Sequence, residues 1–392
     1  MGSVIEDELF SSSVIKELRM LDFDFVPPEL PHRIEQLKKL ASMFKPLLSG
    51  LPQHVFIHGP VGTGKTAMTK HFCQSLVSIA RKQGVMIEYV HINCRKRSTD
   101  SLVLLGILAH FDPRFPDRGF SVQEMLQILR THLQRREAQL LLALDEVDAL
   151  LKKNGSNLLY NLTRFNDEST KQSNPVSVIM VSQKDAFSMI DTATLSTFKR
   201  GNTIALEKYT RGELYDIVKQ RVELAFYPRT VPGESIDLIA DIAGESGDAR
   251  FAIELLWKAG LFADEQRQKQ VCPEHVRAAK AETYSVVTES KLRALGRHQL
   301  LVLLSIAKRL QKDGTAYTDT GEAEKTYAIT CEEYQEKPRA HTQFWEYLKE
   351  IEHAGFLNMK QARKGQLGVT QIISLPDIPA GVLREKLENL LA

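Results

Sequence analysis

The sequence predicts an α/β domain built on a parallel sheet, then an all-helical domain, then a small domain of three helices and a hairpin. Three observations predict it. Over the first half, short runs of purely apolar residues such as Val55-Phe56-Ile57 and Leu140-Leu141-Leu142-Ala143-Leu144 alternate with helical patterns, as buried parallel strands and their crossover helices do. Around Leu206 the pattern changes to helix only. From near Lys291, three helical patterns are followed by two short β-prone segments. The expected boundaries are 1–24 for an N-terminal tail, 25–205 for the α/β domain, 206–285 for the helical domain and 290–392 for the last.

Composition narrows the possibilities. A chain of 392 residues exceeds one ordinary core. Its 43% hydrophobic and 26% charged content is that of a soluble globular protein. No apolar run approaches membrane-spanning length, and the first ten residues carry acids where a secretory leader carries bases, so a cytoplasmic protein with no membrane partner is expected. Cys73, Cys94, Cys272 and Cys331 form no C-x-x-C pair, which points to ordinary thiols rather than a zinc or disulfide framework. With a net charge of +2, any affinity for nucleic acid must come from local patches.

The elements follow in order. The tail holds one helical pattern, Val14 to Leu21. Phe25 to Arg33 is rich in proline and extended, either a linker or an apolar wall packed against a nucleotide base. A helix from Ile34 to Leu48 leads to the strand Val55–His58. Gly59-Pro60-Val61-Gly62-Thr63-Gly64-Lys65-Thr66 then matches G-x-x-x-x-G-K-[ST] without substitution, and a helix from Ala67 to Lys82 follows it. Strand, loop, Lys-Thr and helix are all in register for a phosphate loop. Val61, Gly62, Thr63, Gly64 and Ala67 would turn backbone N–H groups onto phosphates. Lys65 would pair with the β- and γ-phosphates of ATP or ADP, and the Thr66 hydroxyl would ligate Mg²⁺.

Met86 to Asn93 reads as a second strand, with the basic cluster Arg95-Lys96-Arg97 at its end. The insert from Ala109 to Phe120 carries Arg114 and Arg118, either on a surface crossover or in reach of a DNA backbone. Gln139 to Asp145, ending in Asp145-Glu146, is a buried strand that delivers two carboxylates to the crevice at the sheet's carboxyl edge. Asp145 would hold Mg²⁺ and Glu146 would orient the attacking water. Val176 to Ser182 is a further strand, with Gln183 at its end in reach of the γ-phosphate or the water.

Thr210-Arg211-Gly212-Glu213 is a capping box, and Leu214, Ile217, Val218, Val222 and Ala225 give its helix one apolar stripe. Three further helical patterns complete a bundle, and Arg250 lies in the first turn of one of them, a candidate contact to the γ-phosphate. In the last domain the two β segments, joined by a glycine-bearing basic tip with Lys360, Arg363 and Lys364, make a winged-helix pattern. The third helix, with Arg339 before it and Thr342 and Gln343 near its start, would enter the major groove while the wing takes phosphate or the minor groove. Protein docking is the rival use of such a domain.

Together the loop 59–66, the pair Asp145-Glu146, Tyr209 to Leu214 and Gly247 to Leu256 resemble the AAA+ ATPases. Pro31-His32-Arg33, Asn93 to Arg97, Leu144 to Leu150 and the winged helix resemble the archaeal origin-recognition (Orc/Cdc-type) replication initiators. The resemblance runs from about residue 25 to the end. It implies an ATP-bound initiator that binds double-stranded origin DNA, helps load the replicative helicase and can act with other initiator subunits. It further implies that Arg250 is the arginine of the second sensor, that Tyr209 and Arg221 line the nucleotide, and that the insert sits where initiators touch duplex DNA. Two positions depart from the family. Gln183 stands where Asn is usual, and no basic residue for a neighbouring subunit's nucleotide is evident at Thr194 to Phe198, with Lys199 and Arg200 only nearby. Slow, switch-like hydrolysis is therefore expected. A signalling-type ATPase whose winged helix binds protein is the alternative, and a clamp-loader subunit is disfavoured by the winged helix.

Overall fold

A computed structural model describes residues 13–165, 175–197, 202–283, 289–361, 371–376 and 378–391, which form two compact units, Asp24–Tyr209 and the rest. Among the described residues no helix is long and apolar enough to cross a membrane.

The first unit is the α/β domain. It contains α1 (Ile34–Phe44), β1 (His54–His58), α2 (Lys65–Lys82), β2 (Ile87–Asn93), α3 (Asp100–Phe111), α4 (Val122–Arg136), β3 (Gln139–Asp145), α5 (Val147–Asn154), α6 (Asn157–Thr163), β4 (Val176–Ser182), α7 (Thr192–Thr197) and β5 (Thr203–Ala205). The strands are parallel in the order β2-β3-β4-β1-β5. The apolar runs are continuous because both faces are covered. Val55, Ile57, Leu141, Ala143, Ile179 and Val181 pack on one side with Leu40 and Phe44 of α1 and Met68 and Phe72 of α2. Phe56, Leu140, Leu142, Leu144, Val178 and Met180 pack on the other with α3 to α6. Each such buried side chain contributes about 1.5–3 kcal/mol. β1 lies between β4 and β5, so its carboxyl end opens beside those of β4 and β3, where an open α/β sheet binds ligands.

Several boundaries differ from expectation for local reasons. The first helix stops at Phe44 and tightens into a 3₁₀ turn over Lys45–Ser49, because Pro46 has no N–H to continue it. The helix after the phosphate loop begins at Lys65 rather than Ala67. Of the Val14–Leu21 pattern, only Leu18–Leu21 turns, as 3₁₀ helix. Ile15 instead makes an antiparallel bridge with Phe226, and Val14 N–H donates to Asp264 Oδ1 at 2.6 Å, so residues 13–23 belong with the helical domain. Phe198, Lys199 and Arg200 lie outside the described residues.

The second unit holds the helical and winged-helix domains. Its first part comprises α8 (Arg211–Ala225), α9 (Gly233–Gly244), α10 (Ala249–Glu265) and α11 (Pro273–Thr283). The capping box forms as read, Thr210 accepting from Glu213 N–H and the Glu213 carboxylate from Thr210 N–H. On α8 the buried stripe is Leu214, Ile217, Val218, Arg221 and Ala225, with Arg221 in the place expected of Val222. The winged-helix part comprises α12 (Glu289–Arg293), α13 (Arg297–Asp313), β6 (Thr318–Asp319), α14 (Thr320–Glu333), α15 (His341–His353), β7 (Asn358–Gln361), β8 (Gln371–Ser374) and α16 (Ala380–Leu391). Its sheet is antiparallel in the order β6-β8-β7, and α16 packs Leu383 and Leu387 into the same core as Leu301 and Phe344.

Candidate functional site

The phosphate loop is shaped by backbone that tolerates no side chain at two points. Gly59 has φ 154°, and a Cβ there would lie 2.2 Å from the Leu206 carbonyl oxygen. Gly64 has φ 79°, and its Cβ would meet the Tyr209 hydroxyl at 2.8 Å. Only glycine lets the loop pass this close to the chain leaving β5. Thr63 is fully buried and donates its hydroxyl to the Pro60 carbonyl at 2.9 Å, closing the loop. Lys65 is nearly buried, and its ammonium donates to the carbonyls of Gly59 at 2.7 Å and Pro60 at 2.5 Å. The helix that starts at Lys65 leaves its first N–H groups at the loop, a ready anion site.

Arg33 braces this loop from behind, a role that the sequence left open. Its buried guanidinium donates from Nε and Nη2 to the Thr63 carbonyl at 3.3 and 3.0 Å and stacks 4.0 Å over the Tyr209 ring. The preceding residue, His32, sits at φ 59°, a strained conformation for a residue with a side chain. Tyr209, expected to line the nucleotide, is thus buried between Arg33 and Gly64.

At the carboxyl end of β3 the two carboxylates have different partners. Asp145 accepts the Thr66 hydroxyl at 2.7 Å, with His91 Nε2 at 3.4 Å. Burial alone would raise its pKa, but the hydrogen bonds from His91 and Thr66 outweigh that and hold it below the ordinary carboxylate value. The pairing of β2 with β3 sets Asn93 opposite Asp145, and Asn93 Nδ2 donates to Glu146 Oε2 at 3.2 Å. Asn93 does double duty, since its Oδ1 accepts the N–H groups of Arg95 and Lys96 at 3.0 and 3.1 Å. Arg95 reaches within 3.7 Å of Glu146 Oε1. Glu146 itself has φ 54°, a left-handed residue between strand and helix. The signal for Asn93 was a polar side chain closing a β-branched strand next to the acidic one.

β1 and β4 pair His58 with Ser182, so exposed Gln183 follows directly beside the start of the loop. The Ser182 hydroxyl donates to Asp148 at 3.2 Å. Thr66 and an ionised Asp145 are hard oxygen donors already 2.7 Å apart, a set that fits Mg²⁺, which takes one or two carboxylates and completes its shell with water and phosphate.

The remaining expected residues belong to both units. In the second unit, Arg250 follows the capping residue Asp248, and its guanidinium lies 5.6 Å from the Phe23 ring. Arg221 donates from Nη1 to the Met20 carbonyl at 2.7 Å, and burial lowers its pKa to about 10. In the α/β unit, Arg114 and Arg118 are exposed on the loop between α3 and α4, whose Phe115 and Phe120 rings pack 5.0 Å apart. On the winged helix Arg339 donates to His298 Nε2 at 3.0 Å, Thr342 is exposed, and Gln343 donates to Glu346 at 2.9 Å. Lys360 on β7 is paired with Asp241 on α9. Arg363 and Lys364 lie outside the described residues.

Comparison with known proteins agrees with this architecture. Residues 50–190 match the model of an AAA domain, 215–281 that of the Cdc6 AAA+ ATPase-type lid domain, and 290–384 that of the CDC6 C-terminal winged helix domain. The ORC1-type DNA replication protein 2 of Sulfurisphaera tokodaii is 33% identical, the match covering 100% of this chain and 95% of that protein. The chain belongs to the ORC1/Cdc6-type replication initiators of the AAA+ superfamily. A Thermococcus kodakarensis relative, named ORC1-type DNA replication protein, is 31% identical over 97% of this chain and 92% of its own length. Among solved structures, the Pyrobaculum aerophilum Cdc6p aligns with TM-score 0.83 and 26% identity over 97% of this chain and 99% of that one. The Aeropyrum pernix ORC1 protein, solved in complex with DNA, aligns with TM-score 0.64 and 30% identity over 97% of each chain. The AAA+ domain, lid and winged helix expected from the sequence are therefore present.

Proposed function

We propose that this protein is an ATP-dependent replication initiator that binds origin duplex DNA, helps recruit the replicative helicase and uses ATP as a slowly hydrolysed switch. The observation that carries the reading is the constellation of Lys65, Thr66, Asp145, Asn93 and Glu146 around the phosphate loop. In it the backbone of Val61 to Ala67 and the Lys65 ammonium bind the triphosphate. Thr66 and Asp145 would hold Mg²⁺, which neutralises phosphate charge when bound. Glu146 orients the attacking water, with Gln183 beside it and Arg250 reading the γ-phosphate. Tyr209 and Arg221 flank the nucleotide.

Slow turnover is supported by the state of the base. One Glu146 oxygen accepts from Asn93 and Arg95 approaches the other, so both oxygens are already partly occupied when the attacking water arrives. On the DNA side the reading assigns Arg339, Thr342 and Gln343 to the groove, and Arg363, Lys364, Arg114 and Arg118 to phosphates. That the similar Aeropyrum pernix ORC1 protein was solved with DNA supports it. Other initiator subunits remain the natural partners in such an assembly. The alternative, a signalling-type switch whose winged helix serves as an internal lock, is favoured by one observation, the pairing of Lys360 with the lid.

The test combines nucleotide and DNA binding on the full chain. Fluorescence anisotropy with random and genomic duplexes across a salt series, with ATP and with ADP, is expected to give tight, salt-dependent binding that prefers a few fragments. Lys65→Ala should abolish ATP binding, and Glu146→Gln should keep binding and lose hydrolysis. Wild-type turnover well above about one per second would contradict the switch. No DNA binding at moderate salt in either nucleotide state would favour the signalling alternative.

A further inference from the structure

The lid helix α9 carries its acids on one face. Glu234, Asp237 and Asp241, with Glu245 one residue past its end, are spaced by three and four, which places them one above another along the helix. This row of carboxylates faces the winged helix. Glu234 Oε1 accepts the Ala316 N–H at 2.5 Å, and Glu245 Oε1 accepts from Asn358 Nδ2 at 3.1 Å. Asp241 is the centre of the contact. Its Oδ2 accepts from the Tyr317 hydroxyl and from the Lys360 ammonium, and its Oδ1 from Arg211 Nε at 2.7 Å. Arg211 is also held by Asp237.

Lys360 sits on β7, the wing strand of a winged helix, and its ammonium also lies 4.1 Å from the centre of the Tyr317 ring. It is only half-withdrawn from water, with 37% of its side chain exposed, against 14% for Asp241. A charge-assisted bond of this kind keeps an exposed ammonium in one place without burying it beyond exchange. A DNA phosphate would meet the same ammonium with the same chemistry, one anionic oxygen for another. The acids of α9 therefore present to the wing what the DNA backbone would present.

We infer that the acidic face of α9 is an intramolecular stand-in for DNA phosphate that withholds Lys360 from duplex DNA, so that the wing strand contacts the backbone only when Asp241 is exchanged for a phosphate. Lys360 then adds nothing to DNA affinity while Asp241 is charged. Removing that charge frees the lysine for one further phosphate. This inference rests on the DNA-binding reading.

The experiment is a two-by-two set on the full chain: wild type, Asp241→Asn, Lys360→Ala and the double variant. Each is measured by anisotropy on one random duplex between low and moderate salt. Asp241→Asn is expected to bind about 3- to 10-fold more tightly at moderate salt, with the salt slope steeper by about 0.9, one phosphate's worth. Lys360→Ala alone should match wild type in affinity and slope. In the double variant the gain should vanish, which separates a freed Lys360 from a mere loss of negative charge near DNA. Arg211 keeps Asp237 in these variants, and far-UV circular dichroism checks the fold; if Asp241→Asn unfolds, Asp241→Ser repeats the test.

Three results would overturn the inference: a shallower slope for Lys360→Ala alone, since the lysine would already sit on DNA; a gain in Asp241→Asn that survives in the double variant; or no gain at all in Asp241→Asn while wild type binds. If wild type and all variants fail to bind duplex at low salt, the DNA-binding reading itself falls, and the inference with it.

Discussion

The crevice at the carboxyl ends of β1, β3 and β4 and the contact between lid and winged helix are both built around a carboxylate held below its ordinary pKa, yet they are held in opposite ways. At the crevice the backbone does the placing. Gly59 and Gly64 let the loop pass against Leu206 and Tyr209, and strand pairing sets Asn93 beside Asp145. At the lid contact long side chains do it. Asp241 gathers Arg211, Tyr317 and Lys360, and the buried Arg277 guanidinium reaches the carbonyls of Leu375, Thr315 and Ala316. Burial opposes ionisation of Asp241 as it does that of Asp145, and donated hydrogen bonds win in both. The difference teaches that a site framed by backbone tolerates no change in the frame, whereas a contact framed by charge exchanges partners.

The largest effect is expected from breaking the backbone frame. Gly59→Ala would drive a Cβ to 2.2 Å from the Leu206 carbonyl, an atom with no rotamer to yield, so β5 or the loop must move. A loss of about 3 kcal/mol of stability and no measurable ATP binding are expected. Thermal melting and a fluorescent-nucleotide titration would read both, and an alanine variant that binds ATP normally would mean the loop does not depend on this close approach.

Next comes the charge frame. Arg277 is fully buried, with Glu274 at 2.5 Å completing its four bonds. Arg277→Met keeps most of the volume and leaves three carbonyls and a carboxylate without their donor, for a loss of about 3 kcal/mol. The loss should stay in the unit that contains the lid and winged helix. Denaturant unfolding is therefore expected to show that unit melting earlier while ATP affinity stays within about twofold of wild type, because the phosphate loop belongs to the other unit. A matching loss of ATP affinity would show that the two frames are energetically one.

The same contrast explains what could be read without a structure. The phosphate loop and Asp145-Glu146 are contiguous strings whose meaning is fixed by neighbours in sequence, and β1 to β4 announce themselves because both faces are apolar. Arg33 was legible only as part of a resemblance, because its target is a carbonyl 30 residues on, and a carbonyl carries no sequence signal. β5, three residues long, is too short for any period to appear. Lys360 reads as one more base on a basic wing, and its partner lies 119 residues away. The acids of α9 were visible at helical spacing, but nothing local says which neighbour their face meets.

The smallest effect separates the two units by acid. His54, at the start of β1, is buried, and desolvation lowers its pKa to about 4. Below pH 6.5 the unfolded chain takes a proton that the folded imidazole refuses until about pH 4, so the α/β unit loses stability as pH falls through that window. At pH 5.5 the loss is about 1 kcal/mol, from the ratio of the two protonation polynomials. The Asp241 network loses stability in the same direction but in a lower window. Its depressed carboxylate keeps its contribution above the ordinary carboxylate value and gives it up only as pH falls through its lower folded one. Melting of the α/β unit between pH 7 and 5 should show this loss, and His54→Gln, which keeps polarity without titrating, should flatten that slope while leaving unchanged the slope of the other unit, whose His275 and His298 are also held below the ordinary imidazole value by burial. If wild type and His54→Gln lose stability alike in this range, the buried imidazole does not set the acid response of the α/β unit, and the contrast between the two frames narrows.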